Sequence, residues 1–281
     1  MSDSKKYTSK LTSRRVLIIG GSSGIGYSVA EAALEHGATV IISSSSKSRV
    51  ESSIEKLLQT YASARDRLTG YTCDLSSPDV EYNIKSLFEN VGGKLDHIIS
   101  TAGDRLGMTP IHEVTLAQMQ QAGMVRFFGP LLIAKIGTPY LSTSPMSSMT
   151  FTTGSVAEKP MPGWSVVASY AAGLYGMVRN LAVDLKPVRV NLVSPGAVAT
   201  ELWKDMPREE YAAFEKAMGA KNPTGSIGKP EDVAEAYIYA MKDANLTGSV
   251  VSTNGGIMLR MLRWRGLLNM EASIAATTAN Q

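Results

Sequence analysis

A short apolar run, Val16–Ile19, is followed at once by Gly20-Gly21-Ser22-Ser23-Gly24-Ile25-Gly26, and then by a stretch of helical character reaching about His36. Glycine is required where a chain turns tightly and where its backbone must approach another group closely. A glycine-rich turn alone says little. Set between a strand and the opening of a helix, it commits the chain to a strand–turn–helix unit whose helix start is left open for a ligand.

The remainder repeats that grammar. Short apolar runs alternate with amphipathic stretches, the pattern of a parallel sheet covered on both faces. After the strand Val16–Ile19 and the helix Gly24–His36, Gly37 stops the helix and Ala38–Ile42 reads as a second strand. A polar helix over 48–62 leads to a strand at Leu68–Cys73. Further strands are expected at Leu95–Ser100, Met149–Thr153, Val188–Val193 and Ser249–Ser252. Helices are expected at Ser165–Leu185 and Pro230–Lys242. The sum is an α/β fold, a single doubly wound seven-stranded parallel sheet with helices on both faces, spanning residues 13–258. Residues 1–12 read as a flexible tail and 259–281 as a C-terminal extension. In that extension Arg260, Arg263 and Arg265 are interleaved with Leu262, Trp264 and Leu267, a segment that either docks on a membrane surface or a partner or, the favoured reading, packs on its own or a neighbouring subunit.

Of 281 residues, 44% are hydrophobic and 19% charged, ordinary for a globular protein, and a net charge of +3 calls for no nucleic acid. One cysteine, Cys73, excludes an internal disulfide and suits a reducing compartment, and no apolar run is long enough to cross a bilayer. The expected location is the cytoplasm, without membrane or nucleic-acid partners. His36, His97 and His112 lie far apart and lack metal-ligand spacing, so no metal is expected.

The glycine turn fits a dinucleotide, because the helix beginning there offers unpaired N–H groups and a positive dipole end to a pyrophosphate. Cofactor choice is read at the end of the second strand, where an acid would bind the ribose hydroxyls of NAD. That stretch is Ser43-Ser44-Ser45-Ser46-Lys47-Ser48-Arg49, with no acid and two cations. Hydroxyls and cations suit a 2′-phosphate, which favours NADP(H).

These residues resemble the short-chain dehydrogenase/reductase family. Its Gly-x-x-x-Gly-x-Gly matches Gly20, Gly24 and Gly26, and its adenine-contacting Asp matches Asp74 in Cys73-Asp74-Leu75. Its Asn-Asn-Ala-Gly stands here as Ser100-Thr101-Ala102-Gly103, and its nicotinamide-flanking loop as Pro195-Gly196 followed by Val198 and Thr200. The closing Gly-Gly is Gly255-Gly256. The resemblance implies that Ser22, Ser23, Ile25 and Leu75 also face the cofactor. It further implies a homodimer or homotetramer built on helices over 115–135 and 165–185 and on the last strand.

The catalytic groups depart from the family. Its Tyr-x-x-x-Lys pair aligns with Val167 and Ala171, its Ser with Ser155 and its Asn with Arg126. Neither Val167 nor Ala171 can carry a proton. Tyr170 is offset by three residues and has Leu174, not Lys, four positions on; Tyr175 and Arg179 read as packing or surface residues. That leaves Ser155 and Arg126 as the catalytic candidates. Arg126 either replaces the lost charge near the cofactor and donates to a substrate, or is a salt-bridged structural arginine.

A fungal subgroup of the family resembles this altered helix, including the stretch Pro160-Met161-Pro162-Gly163-Trp164. Its indole-alkaloid members reduce iminium species with NADPH and assist a [4+2] cycloaddition, and they carry Asp where this chain has Met161. Met161 cannot stabilise a cation as a carboxylate does. Met161, Trp164 and Trp203 are read as lining an apolar substrate pocket, with residues 201–226 forming an insertion that shapes its lid. Three functions stand open: an NADP(H)-dependent oxidoreductase of secondary metabolism acting on a small carbonyl, iminium or activated alkene; a cofactor-assisted cyclase or isomerase; and an inactive nucleotide-binding pseudoenzyme.

Overall fold

The computed structural model describes residues 4–106 and 109–259. The basic segment after Leu259 lies outside them. In chain order the elements are β1 (Arg15–Ile19), α1 (Gly24–Glu35), β2 (Thr39–Ser44), α2 (Lys47–Thr60), β3 (Leu68–Thr72), α3 (Val80–Val91) and β4 (His97–Ser100). There follow α4 (Leu116–Gly123), α5 (Gly129–Gly137), β5 (Ser148–Thr152), α6 (Ser165–Asp184), β6 (Arg189–Pro195), α7 (Arg208–Gly219), α8 (Pro230–Lys242) and β7 (Val250–Thr253).

The seven strands form one sheet in the order β3-β2-β1-β4-β5-β6-β7, every pair parallel. Period-two alternation divides each strand between two cores. In β1, Val16 and Ile18 join Val29, Ala33 and Tyr237 on the face covered by α1, α2 and α8. Leu17 and Ile19 join Phe88, Ile133 and Leu174 on the face covered by α3, α5 and α6. Burial on both faces explains the continuous apolar runs Val16–Ile19 in β1 and Val40–Ile42 in β2.

The strand order reverses between β2-β1 and β1-β4, which opens a crevice at the carboxyl ends of β1 and β4. A Cβ on Gly20, whose φ is +95°, would sit 2.5 Å from the Ala102 amide nitrogen across that crevice. Two loops therefore converge there at backbone distance.

Two details differ from expectation. The segment expected to be loose through residue 12 is anchored at its end: Leu11 is buried in the α1 core, and Ser13 N–H donates to Gly37 O at 2.8 Å. The helix that the resemblance implies over residues 115–135 contains a π-helical turn, Met124–Phe128, between α4 and α5. The extra residue in that turn re-aims the side chains on it, and Arg126 is one of them.

At the opposite end of the sheet, His97 is buried and shares a 2.9 Å hydrogen bond with Ser148 Oγ. Burial pushes its imidazole down to about 3, Arg189 and Arg14 add to the shift, and Asp96 opposes it. The folded state thus holds His97 neutral, and the unfolded chain regains protons first. Stability is complete above the ordinary value of 6.5 and falls as pH drops toward the folded value. Between about pH 7 and about pH 4.5 we expect His97 to remove roughly 2–3 kcal/mol, read by urea unfolding, with a shallower slope in His97→Asn.

Candidate active site

One cavity of about 600 Å³ lies over the crevice. Its floor is the glycine turn: Gly20, Ser22, Ser23, Gly24, Ile25 and Gly26 line it. A Cβ on Gly26 would sit 2.3 Å from Gly20 O and 2.4 Å from Thr101 Oγ1, so only glycine lets α1 start this close to β1 and β4. The helix begins at Ser23 with no side-chain cap and no acid in its first turn. Its amides and positive dipole end are left to a ligand, which fits a pyrophosphate. Ser22 Oγ donates to Ser44 Oγ at 2.8 Å, and Ser53 Oγ donates to Ser22 O at 2.8 Å, tying the turn to β2 and α2.

The strand ends bring the other expected residues to the same cavity: Ser44 and Ser45 after β2, Asp74 and Leu75 after β3, and Thr101, Ala102 and Gly103 after β4. Pro195, Gly196, Val198 and Thr200 after β6 complete this side. Asp74 accepts from Ser76 N at 2.9 Å and from Ser76 Oγ at 2.7 Å.

Ser43 and Lys47 stand off the wall. Ser43 points into the sheet, fully buried, its hydroxyl without a partner among the described residues. Strand alternation sends it to the opposite side from Ser44. Lys47 faces solvent and pairs with Glu51 at 3.8 Å. Arg49, about 200° further round α2, reaches the cavity and donates to Ser45 Oγ at 2.6 Å. Both hydroxyl and guanidinium donors, and no carboxylate, therefore stand at the end of β2.

The opposite wall is the face of α6. Trp164, Val167, Tyr170, Ala171 and Leu174 line the cavity at helical spacing. Tyr170 turns its hydroxyl away, donating to Met119 O at 3.1 Å, while its ring packs against Phe127 at 5.3 Å. Tyr175 points toward β6, 3.5 Å from Ser194 Oγ. Thr153 Oγ1 donates to Ala171 O at 2.8 Å. Ser155 lines the cavity from the turn after β5, and Met161 from the loop before α6.

Residues 201–226 fold rather than loop. Trp203 Nε1 donates to Val198 O at 2.9 Å, and its ring lies 4.6 Å from Phe214 on α7. Leu202, Trp203, Phe214 and Met218 form the apolar roof.

Arg126 reaches the cavity from the π-turn. Its Nε donates to Asp104 Oδ1 at 2.9 Å, and its Nη2 donates to Asp104 O. The guanidinium lies across Gly103, where a Cβ would meet Nη1 and Nη2 at 2.9 Å. Burial lowers the Arg126 pKa, and the Asp104 charge and hydrogen bond oppose that. Asp104 escaped sequence reading because nothing in Gly103-Asp104-Arg105 announces a partner 22 residues away.

The chain matches the SDR-like Rossmann domain over residues 7–260. It belongs to the short-chain dehydrogenase/reductase family. Family membership makes it an oxidoreductase-type Rossmann protein for a nicotinamide cofactor. One relative, the short-chain dehydrogenase/reductase fsr5 of Gibberella fujikuroi, is 47% identical over 90% of this chain and 98% of its own length. The solved MalC reductase/Diels-Alderase of Malbranchea aurantiaca is 42% identical, with a TM-score of 0.84 over 90% of this chain and 100% of that one. A small-chain dehydrogenase solved in complex with NADPH is 27% identical, with a TM-score of 0.73 over 88% of this chain and 100% of that one. Among the described residues no helix is long and apolar enough to cross a membrane.

Proposed function

We propose that this protein is an NADP(H)-dependent reductase of a small, largely apolar organic molecule bearing a carbonyl, iminium or activated alkene, working without a Tyr–Lys pair. The observation that carries the proposal is the pairing of two walls across one cavity. An uncapped, glycine-built helix start faces an α6 surface of Val167, Ala171 and Leu174. Gly20, Gly24, Gly26 and the α1 amides would hold the pyrophosphate, and Asp74 and Leu75 the adenine side. Ser44, Ser45 and Arg49 would hold the 2′-phosphate. Pro195, Gly196, Val198 and Thr200 would flank the nicotinamide. When bound, the reduced nicotinamide supplies a hydride. The chain's own contribution is to cover the substrate with its apolar roof and to place Ser155 and Arg126 near the accepting group.

The NADPH-bound relative supports the cofactor choice, as does the absence of an acid from Ser43 to Arg49. Titration with NADPH and NADH, followed by cofactor fluorescence, tests it, and consumption of NADPH against a panel of ketones, enones and cyclic imines tests the reaction. Failure to bind either nucleotide sinks the reading. In the same titration Arg49→Ala should weaken NADPH about tenfold and leave NADH nearly unchanged, while Lys47→Ala stays within about twofold for both.

A second reading, cofactor-assisted ring formation, draws on one observation, the reductase/Diels-Alderase name of the 42% identical relative. Product formed without NADPH consumption would select it. Exposed Leu116, Phe128 and Leu131 on α4, the π-turn and α5, with Val183 on α6, support assembly as a homodimer or homotetramer.

A further inference from the structure

We propose that Asp104 is the positioning residue of this site, holding Arg126 as a hydrogen-bond donor, and that the pair selects substrates whose reacting group is a neutral carbonyl or enone. The inference rests on the reductase reading above. A guanidinium has five N–H groups in one plane, and Asp104 engages it from one side only, through Nε and Nη2. Among the described residues the Nη1 hydrogens have no partner, and Arg126 lies on the cavity wall. Gly103 presents no side chain to lift the guanidinium away. The donor is thereby fixed in direction, the geometry that an oxygen gaining charge requires.

Charge decides the class. Arg126 and Asp104 are both partly buried, with side chains 28% and 30% exposed, and they neutralise each other. Asp104 therefore has no charge to spare for a cation, and Met161 across the cavity has none. Of the other lining carboxylates, Asp74 is bonded at the β3 end, while Glu201 and Asp205 stand on exposed positions of the 201–205 turn. An iminium ion would meet N–H donors, and the carboxylate bonded to them is already engaged. A neutral carbonyl oxygen would accept from them. As hydride reaches the carbonyl carbon (or the β-carbon of an enone), the displaced electron pair moves to that oxygen. Arg126 N–H groups hold the resulting oxyanion, and water supplies the proton that completes the alcohol or saturated ketone.

The test is a nitrogen-15 NMR titration of the NADP⁺-loaded protein, labelled at arginine, with 2-cyclohexenone and separately with N-methyl-3,4-dihydroisoquinolinium. Arg126 Nε–H is assigned by its loss in Arg126→Lys. The expected result is a saturable shift of that signal with the enone and none with the iminium. Asp104→Asn should weaken the enone at least fivefold while NADPH affinity stays within twofold, and Asp104→Glu should recover part of the loss. An unmoved signal in the wild-type protein, a shift with the iminium alone, or an Asp104→Asn variant that binds enone unchanged would overturn the proposal. The wild-type arm stands even if Asp104→Asn fails to fold. Failure of the wild-type protein to bind either nucleotide would instead bring down the reductase reading itself, and this proposal with it.

Discussion

Gly26→Ala should reduce NADPH affinity on the order of 100-fold, a loss of ~3 kcal/mol. The added Cβ would lie 2.3 Å from a backbone oxygen, Gly20 O, and 2.4 Å from Thr101 Oγ1. Neither is the far end of a flexible side chain. Relief requires α1 to move off the ends of β1 and β4, carrying its open amides away from the place where a pyrophosphate would rest. Cofactor fluorescence reads the affinity, and thermal unfolding reads the accompanying overpacking cost of about 1–3 kcal/mol. Gly176→Ala is the matched control. It lies in mid-α6 with nothing within 4 Å of its added methyl, and it should stabilise by about 0.5–1 kcal/mol with NADPH affinity unchanged. Equal affinities in wild type and Gly26→Ala would remove the cradle from the argument.

Arg189→Met should lower unfolding free energy by about 4 kcal/mol in urea. Arg189 is 3% exposed and bonds to no carboxylate among the described residues. Its fork instead donates to four carbonyls: Pro145 O at 2.7 Å, Ala240 O at 2.6 Å, Leu246 O at 3.1 Å and Met241 O at 2.9 Å. Ala240 and Met241 end α8, where carbonyls lose their helical partners. Methionine fills the space and leaves those acceptors dry. Arg189→Lys should recover less than half, because a single ammonium cannot span the same four directions. A loss under about 1 kcal/mol would mean that water replaces the guanidinium at little cost.

The sheet was legible because its residues answer to short-range rules. Val16–Ile19 is apolar on both faces, Val188–Val193 alternates Val188, Val190 and Leu192 with Arg189 and Asn191, and the helices Gly24–His36, Ser165–Leu185 and Pro230–Lys242 announce themselves by period. The glycine turn was legible for the same reason, since its spacing is local. What escaped depends on distant partners or on a change of helical register. The π-turn at Met124–Phe128 has no composition signal, and it carries the Arg126 that bonds Asp104. Lys47 and Arg49 are equivalent cations in sequence, and only the phase of α2 separates the one at the cavity from the one paired with Glu51. Leu11 sits in a polar stretch that reads as a tail until the α1 core that receives it is built.

Helix α6 carries two assignments along its length. Leu174 and Val178 belong to the core beneath the sheet, with Leu174 reaching the cavity as well, whereas Val167, Tyr170 and Ala171 look onto the cavity. Substitutions on the second set alter what the chamber accepts and leave the interior that holds the strands together untouched. Along this helix, new chemistry and retained foldability are therefore separable traits. A lineage could exchange a proton-transferring surface for a greasy one, or reverse that exchange, through a few codons and without passing through an unfolded ancestor.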